Sequence, residues 1–197
     1  MDSRRTLAGR PRSTKAHAAI LHAAIAVIRD VGYDAAGMEL IAARAGVGKA
    51  TIYRRWACKE SLVAEALEHL VLRFSAPDTG TTRDDLRAVI RQSMGMYQDP
   101  ATSALLSGLV AAMARSESIA DAVRNGFIAA RRDQMRRVLR RGIERDDLDR
   151  DLDEDLALDF LSGPLTYRGL ISGAAIDEHF VHAVVDAAMR AFAPAHS

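Results

Sequence analysis

Two runs of apolar residues, separated by a glycine, constrain the fold of this chain more than any other feature; they lie between residues 32 and 60. In the first run the apolar residues recur at helical intervals and predict a short helix over 38–45 that packs inward. These residues are Met38, Ile41, Ala42 and Ala45. Gly46 follows at once, and a glycine just past a helix end can adopt the left-handed conformation that turns the chain. The buried anchors expected in the next helix are Val47 and Ile52. The segment therefore predicts two short helices held at a fixed angle, the form of a helix-turn-helix.

The second of these helices leaves a basic and aromatic surface facing outward. Such a helix fits the major groove of DNA, where side chains near its start reach the base edges. Lys49 and Thr51 are the residues expected to contact bases or to lie near them. The basic residues expected to contact phosphates are Arg44, Arg54, Arg55 and Lys59. The alternative is an ordinary helical hairpin whose lysines and arginines are only solvated.

The distribution of charge favours the DNA-binding interpretation over that alternative. Residues 1–60 contain 11 Lys and Arg against 5 Asp and Glu, a net charge of +6. Residues 61–197 contain 16 against 21, a net charge of −5. A basic head on an acidic body is typical of a protein whose head contacts nucleic acid.

Composition excludes several other classes of protein. A hydrophobic content of 49% and a charged content of 27% are ordinary for a soluble globular chain. No apolar run approaches the roughly 18–20 residues that cross a bilayer, no signal peptide is visible, and a single cysteine, Cys58, permits no internal disulfide. We therefore expect a cytoplasmic protein. No nucleophile–base pair or phosphate-binding loop is present, so we expect no enzyme, no cofactor and no metal.

The chain divides into four segments. We expect a disordered basic arm over 1–13, a DNA-binding domain of three helices over 14–58, a connecting helix and linker over 59–82, and a domain for ligand binding and dimerisation over 83–197. Apolar periodicity beyond the linker is helical throughout. The helices predicted there cover 83–97, 101–115, 117–145, 153–172 and 177–192. The fold class is therefore all-α, with a small helix-turn-helix module followed by a larger helical bundle.

At several positions the residues resemble the TetR-type transcriptional repressors. The resemblance is close over about residues 15–67 and weaker to the C-terminus. The matching residues are Ala23-Ala24, Gly32-Tyr33, Ile41-Ala42, Ala45-Gly46-Val47, the run from Thr51 to Trp56, Lys59-Glu60 and Leu62. The resemblance implies a homodimer that binds a palindromic operator and is released by a small-molecule effector bound in the C-terminal domain. It also implies that Tyr53 donates to a DNA phosphate.

The resemblance assigns further roles in the C-terminal half. The last two helices would form a four-helix interface between subunits, through Phe160, Leu161, Leu165, Phe180, Val184 and Ala188. The helices between 83 and 170 would build the effector pocket. Its expected lining is Met94, Tyr97, Leu109, Met113, Phe127, Phe160 and Tyr167.

The arginine pairs between 131 and 141 are expected to form a solvated face with local ion pairing, although they could also attract an anionic ligand.

Three features of the head need separate interpretation. Gly37 stands where related proteins often carry a Ser or Thr that caps the helix, so one phosphate contact is absent. Trp56 is expected to be a core residue. Arg10 and Arg12 flank Pro11 in a basic arm that resembles a minor-groove-binding motif, with non-specific attraction to phosphates as the alternative. Two other functions stay open: an architectural, nucleoid-type DNA-binding protein without ligand control, and a metabolite-binding enzyme on a helical bundle.

Overall fold

The computed structural model describes residues 10–72 and 76–194, with side chains over 15–69 and 76–194. These residues form ten α-helices and no strand, which confirms the all-α fold. The helices are α1 (Arg10–Val31), α2 (Met38–Arg44), α3 (Lys49–Tyr53), α4 (Lys59–Leu72), α5 (Thr82–Gln98), α6 (Pro100–Met113), α7 (Glu117–Val123), α8 (Ala129–Glu144), α9 (Glu154–Tyr167) and α10 (Glu178–Ala191). None of them combines the length and apolar composition that a bilayer span requires.

Helix α1 begins at Arg10, four residues before the start predicted at residue 14. Residues 10–13, predicted to belong to the disordered arm, are instead the first turn of α1. Proline is tolerated in a first helical turn, because the N–H that it lacks would have no partner there. The rest of the predicted arm, residues 1–9, lies outside the described part of the chain, as do the side chains of Arg10 and Arg12.

Two of the long helices predicted in the body contain a π-helical turn. The helix predicted over 117–145 consists of α7, a π-helical segment at Arg124–Ile128, and α8. The helix predicted over 153–172 continues through Pro164 as α9 and ends in a second π-helical segment, Arg168–Ser172. Gly173 then ends it with a left-handed φ of 67°. A π-helical turn holds more residues than an α-helical turn, so the side chains that follow it are rotated relative to those of a regular α-helix.

The apolar side chains form two cores. The first core joins α1–α4 to residues of α6, α7 and the adjoining π-helical turn, among them Leu105, Leu109 and Phe127. The second core joins α5, α8, α9 and α10. The DNA-binding module and the first part of the C-terminal bundle, α6, α7 and the adjoining π-helical turn, therefore share one core.

Candidate nucleic-acid interface and ligand cavity

The helix-turn-helix forms as the sequence predicts. Gly46 has φ of 67°, and Val47 N–H donates to the Ala42 carbonyl at 3.0 Å, which closes the end of α2. Ile52 is fully buried, whereas Val47 is only partly buried against the first core. Gly37 is the N-cap of α2 in extended conformation and provides no side-chain hydrogen bond. The turn therefore presents α3 at a fixed angle to α2.

The predicted DNA contacts divide into an exposed set and a packed set. Lys49, Tyr53 and Arg54 are exposed on α3 and its C-cap, and Thr51 is half-buried beside them. Arg44 is exposed at the end of α2. This exposed set forms one basic surface around α3.

Two other predicted contacts are packed into the head. Lys59 Nζ donates to the Tyr33 carbonyl at 2.7 Å and lies 4.2 Å from the centre of the Tyr33 ring. Arg55 is half-buried. Lys59 therefore holds α4 to the turn after α1, a contact that sequence interpretation missed.

A carboxylate of α2 holds the side chains of α3. Glu39 Oε1 accepts a hydrogen bond from Tyr53 Oη at 3.2 Å and lies 3.6 Å from Lys49 Nζ. A hydrogen bond from its own backbone and the charge of Lys49 lower the pKa of Glu39. Arg44 is paired in the same way with Asp30 at 2.5 Å. In the free protein, carboxylates therefore form ion pairs with two of the cations that are candidates for DNA contact, Lys49 and Arg44.

Trp56 belongs to the core, as expected, with 4% of its surface exposed. Its indole N–H donates to Glu65 at 2.6 Å, and its ring stacks on His17 with centroids 5.3 Å apart. His17 Nε2 also contacts Glu65, at 2.8 Å. These contacts join the end of the helix-turn-helix to α1 and α4.

Three arginines of α8 form the predicted ion-paired face. Arg132 contacts Asp155 and Asp159, Arg136 contacts Glu154 and Asp155, and Arg140 contacts Glu154. Arg131, next to Arg132, has no carboxylate partner among the described side chains. It points into a cavity instead.

A cavity of about 450 Å³ lies between the head and the body. Its walls come mainly from α1, α5 and α8, with contributions from the start of α6 and from α9, and include Ile25, Arg29, Val89, Ser93, Met96, Asp99, Arg131, Gln134 and Met135. The volume is within the range of small-molecule sites. None of the seven predicted pocket residues lines it.

A second cavity, of about 190 Å³, contains four of those seven residues: Tyr97, Leu109, Met113 and Phe127. Met94 packs against the second core, because it points to the opposite side of α5 from Met96. Phe160 and Tyr167 are exposed, so neither lines this cavity. Arg131 and Ser162 line both cavities and mark their junction.

The predicted dimer-interface residues are mostly interior. Five of the six lie in the subunit's own second core: Leu161, Leu165, Phe180, Val184 and Ala188. Their side chains are buried within the subunit and have little surface free for a partner, so this burial does not support their prediction as contact residues. Phe160 is exposed. It belongs to an apolar stripe on the opposite side of α9 and its π-helical end, formed by Leu156, Phe160, Tyr167 and Ile171.

Comparison with known proteins agrees with this geometry. Residues 20–66 match the family model for bacterial regulatory proteins of the tetR family, and residues 76–188 match the tetracyclin repressor-like C-terminal domain. The uncharacterized HTH-type transcriptional regulator YdeS of Bacillus subtilis is 33% identical, over 93% of this chain and 91% of its own length. The DNA-binding transcriptional repressor TetR of Mycobacteroides abscessus is 34% identical, over 86% and 89%.

Solved structures show the same architecture. The crystal structure of the TetR family transcription regulator SCO0332 superposes with a TM-score of 0.81 at 29% identity, over 91% of this chain and 100% of that one. The regulator FadR from Bacillus subtilis, solved in complex with stearoyl-CoA, shares the fold with a TM-score of 0.63 at 19% identity, over 87% and 95%. The matched family models, the relatives and the helix-turn-helix geometry lead to one conclusion: this chain belongs to the TetR family of bacterial DNA-binding transcriptional regulators.

Proposed function

We propose that this regulator is a ligand-responsive repressor, which binds a palindromic operator as a homodimer and is released by a small molecule. One observation supports the proposal that a ligand controls DNA binding. The larger cavity is walled on one side by Ile25 and Arg29 of α1, a helix of the DNA-binding module. An occupant would therefore contact the DNA-binding module directly as well as the body.

An ion pair between two residues that line the cavity also joins the two modules. Arg29 of α1 lies 3.4 Å from Asp99, which caps α6 by accepting from Thr102 N–H at 3.0 Å. A ligand that displaced Arg29 would weaken this tie between α1 and α6. Such a change would alter the position of α3, because Ile52 of α3 packs in the first core together with α1 and α2.

For DNA binding we propose that Lys49 and Thr51 contact bases, while Tyr53, Arg44 and Arg54 contact phosphates. The exposure of Lys49, Tyr53, Arg44 and Arg54, and the position of the half-buried Thr51 beside them, support these roles. Lys59 and Arg55 would contribute less, since both are partly buried. Contacts from Arg10 and Arg12 to the minor groove would require the first turn of α1 to unwind.

For dimerisation we propose the apolar stripe of Leu156, Phe160, Tyr167 and Ile171. Ile171 is 73% exposed and Tyr167 is 60% exposed, an unusual amount of apolar surface for four residues on one helical face. Covering the stripe with the same stripe of a second copy would form an isologous interface.

This assignment divides the chain by role. Residues 14–58 would bind DNA, 59–82 would connect, and 83–197 would bind the effector and the second subunit. Because α6 and α7 share the first core, the connecting helix α4 is enclosed by both parts.

Footprinting on the DNA that flanks the chain's own gene tests operator binding. We expect a protected palindrome whose half-sites lie about one helical turn apart. Lys49→Ala and Tyr53→Phe should weaken binding to this site without lowering the thermal unfolding midpoint. Arg150→Ala, which removes an exposed cation from the body, is the matched control and should bind as the wild type does. Protection without a boundary, scaling with A·T content, would indicate the architectural function instead.

Light scattering at known concentration tests the dimer. The wild type should have twice the subunit mass, and Ile171→Asp should shift it to one subunit mass. Leu40→Asp, an exposed apolar residue outside the stripe, should leave the mass doubled. A doubled mass in Ile171→Asp that also persists in Phe160→Asp would contradict this interface.

A further inference from the structure

The charges around the larger cavity do not balance. Three charged side chains line it: Arg29, Asp99 and Arg131. Hydrogen bonds from Thr102, followed by the charge of Arg29, lower the pKa of Asp99. Asp99 and Arg29 therefore neutralise each other and leave the charge of Arg131 uncompensated.

Arg131 differs from the other arginines around it. Its Nη2 donates to Ser93 Oγ at 2.5 Å, and its Nη1 lies 2.9 Å from Met96 Sδ. Neither acceptor carries a charge, and a thioether sulfur is a weak acceptor. No carboxylate forms an ion pair with Arg131 within residues 15–69 and 76–194. Arg132, Arg136 and Arg140, on the same helix, each have one.

The surroundings of the guanidinium are apolar. Val89, Met96 and Met135 line the same cavity, and the Phe127 ring centre lies 5.7 Å from the guanidinium carbon. Burial lowers the pKa of Arg131, in agreement with this setting. A partly buried cation without a counter-ion carries a cost of desolvation, and an incoming anion would offset part of it.

We propose that the effector is an organic monoanion: a carboxylate on an aliphatic body, with the acid group bound by Arg131 and the chain packed against Val89, Met96 and Met135. This inference rests on the proposed role of the cavity as the effector site. The planar fork of a guanidinium matches a carboxylate in bidentate geometry. A single uncompensated cation favours one negative charge, since a dianion would bring a surplus charge into the apolar site.

Isothermal calorimetry with matched probes tests this class of ligand. Octanoate, decanoate and dodecanoate are compared with the alcohols of the same length and with decyltrimethylammonium. For the wild type we expect the best carboxylate to bind about 10- to 100-fold more tightly than its alcohol, the range that hydrogen bonds to a charged group provide. Arg131→Met should lose that preference and keep the affinity for the alcohol.

Two controls separate this effect from damage to the fold. Arg140→Met removes a cation from the same helix outside the cavity and should keep the wild-type preference. Arg131→Lys keeps the charge without the planar fork and should retain part of the preference. Thermal unfolding of each variant shows whether the protein is folded.

Equal affinity for carboxylate and alcohol in the wild type would overturn the inference. So would unchanged carboxylate binding by Arg131→Met, tighter binding of the cation, or no carboxylate binding at all. Release of operator DNA is measured separately, by fluorescence anisotropy. Arg131-dependent carboxylate binding without operator release would support the anion site and contradict the effector role of the cavity. Operator release by neutral or cationic compounds alone would support ligand control and overturn the proposed ligand class.

Discussion

At the scale of single residues, the basic surface around α3 is restrained by the protein's own carboxylates. Glu39 engages both Tyr53 and Lys49, and Asp30 engages Arg44. A DNA phosphate would have to replace these carboxylates, because each holds a cation or donor proposed to contact the backbone. We therefore expect Glu39 to lower the affinity for any DNA while it holds Tyr53 and Lys49 in place before binding.

Glu39→Gln should raise the affinity for DNA. Lys49 loses a charged partner, so we expect the affinity for DNA to rise roughly two- to five-fold at low salt. This is the size of effect that an exposed ion pair provides. The gain should shrink as salt rises and should be larger on random duplex than on the operator. Fluorescence anisotropy on both duplexes measures it. Glu117→Gln, which removes the exposed partner of Arg124, controls for net charge; an equal gain in that variant would refute a local effect.

At the scale of elements, a buried carboxylate ties the linker to the body. Asp85 on α5 is fully buried and accepts from Thr79 N–H at 2.6 Å and from Arg145 Nη1 at 3.0 Å. Arg145 also contacts Asp78. Burial alone would raise the pKa of Asp85, but the hydrogen bonds from Thr79 and Arg145 outweigh it and hold the pKa below its usual 3.8. Ionised Asp85 therefore joins linker, α5 and α8.

Asp85→Asn should lower the free energy of unfolding by about 3 kcal/mol at neutral pH, because Arg145 loses its buried partner. The folded-state pKa is depressed, so this stabilisation is fully present above the usual pKa of 3.8 and is lost as the pH falls through the folded value. Urea unfolding between pH 7 and pH 3 measures it. A difference between variant and wild type that grew toward acid would contradict the assignment.

A glycine in α6 sets how closely the body approaches the head. A Cβ added at Gly108 would lie 2.7 Å from the Tyr33 ring. That ring cannot move freely, since Lys59 covers it and its hydroxyl is buried. Burial, followed by the charge of Glu60, raises the pKa of Tyr33 to about 12. The contact between Gly108 and Tyr33 therefore fixes α6 against the turn after α1.

Gly108→Ala should lower the free energy of unfolding by about 1–3 kcal/mol, the cost of overpacking a close contact. Gly95→Ala is the matched control on α5, where a new Cβ meets nothing within 4 Å. It should be neutral or stabilise by up to about 1 kcal/mol, since alanine favours helix. Urea unfolding compares the two. A stabilised Gly108→Ala would show that the Tyr33 ring yields at no cost.

At the scale of the whole molecule, the shared first core couples the head to the body. Leu105, Leu109 and Phe127 from the body pack with residues of α1–α4. A head that unfolded alone would expose these side chains as well as its own. The two modules should therefore unfold together rather than in sequence.

The single tryptophan makes this cooperativity measurable, because Trp56 lies in the head. Its fluorescence reports the head, while far-ultraviolet circular dichroism reports all helices. The two urea transitions should have the same midpoint and slope, and Leu105→Ala in α6 should lower both equally, by about 2–5 kcal/mol in free energy of unfolding. A fluorescence transition that precedes the loss of helix would show that the head is an independent unit.

The sequence by itself determined the features that depend on near neighbours along the chain. Helical spacing of apolar residues located the helices, Gly46 located the turn, and the run from Thr51 to Trp56 identified the family. Trp56 was correctly predicted as core, and the ion-paired face of α8 follows from charges at helical spacing. Such features are local because one turn of helix joins only residues three or four apart.

Only the tertiary structure decided which helical faces meet. It placed the predicted interface residues Leu161 and Leu165 in the subunit's own core and left Phe160 outside. It placed Met96 rather than Met94 in the cavity wall, and it left Arg131 without a carboxylate partner among the described side chains, whereas Arg132, Arg136 and Arg140 on α8 have one. These outcomes depend on crossing angles and distances between helices far apart in sequence, which no local period encodes. The chain's pattern thus identified a DNA-binding regulator, whereas packing decided which cavity and which exposed stripe we propose for its ligand and its partner.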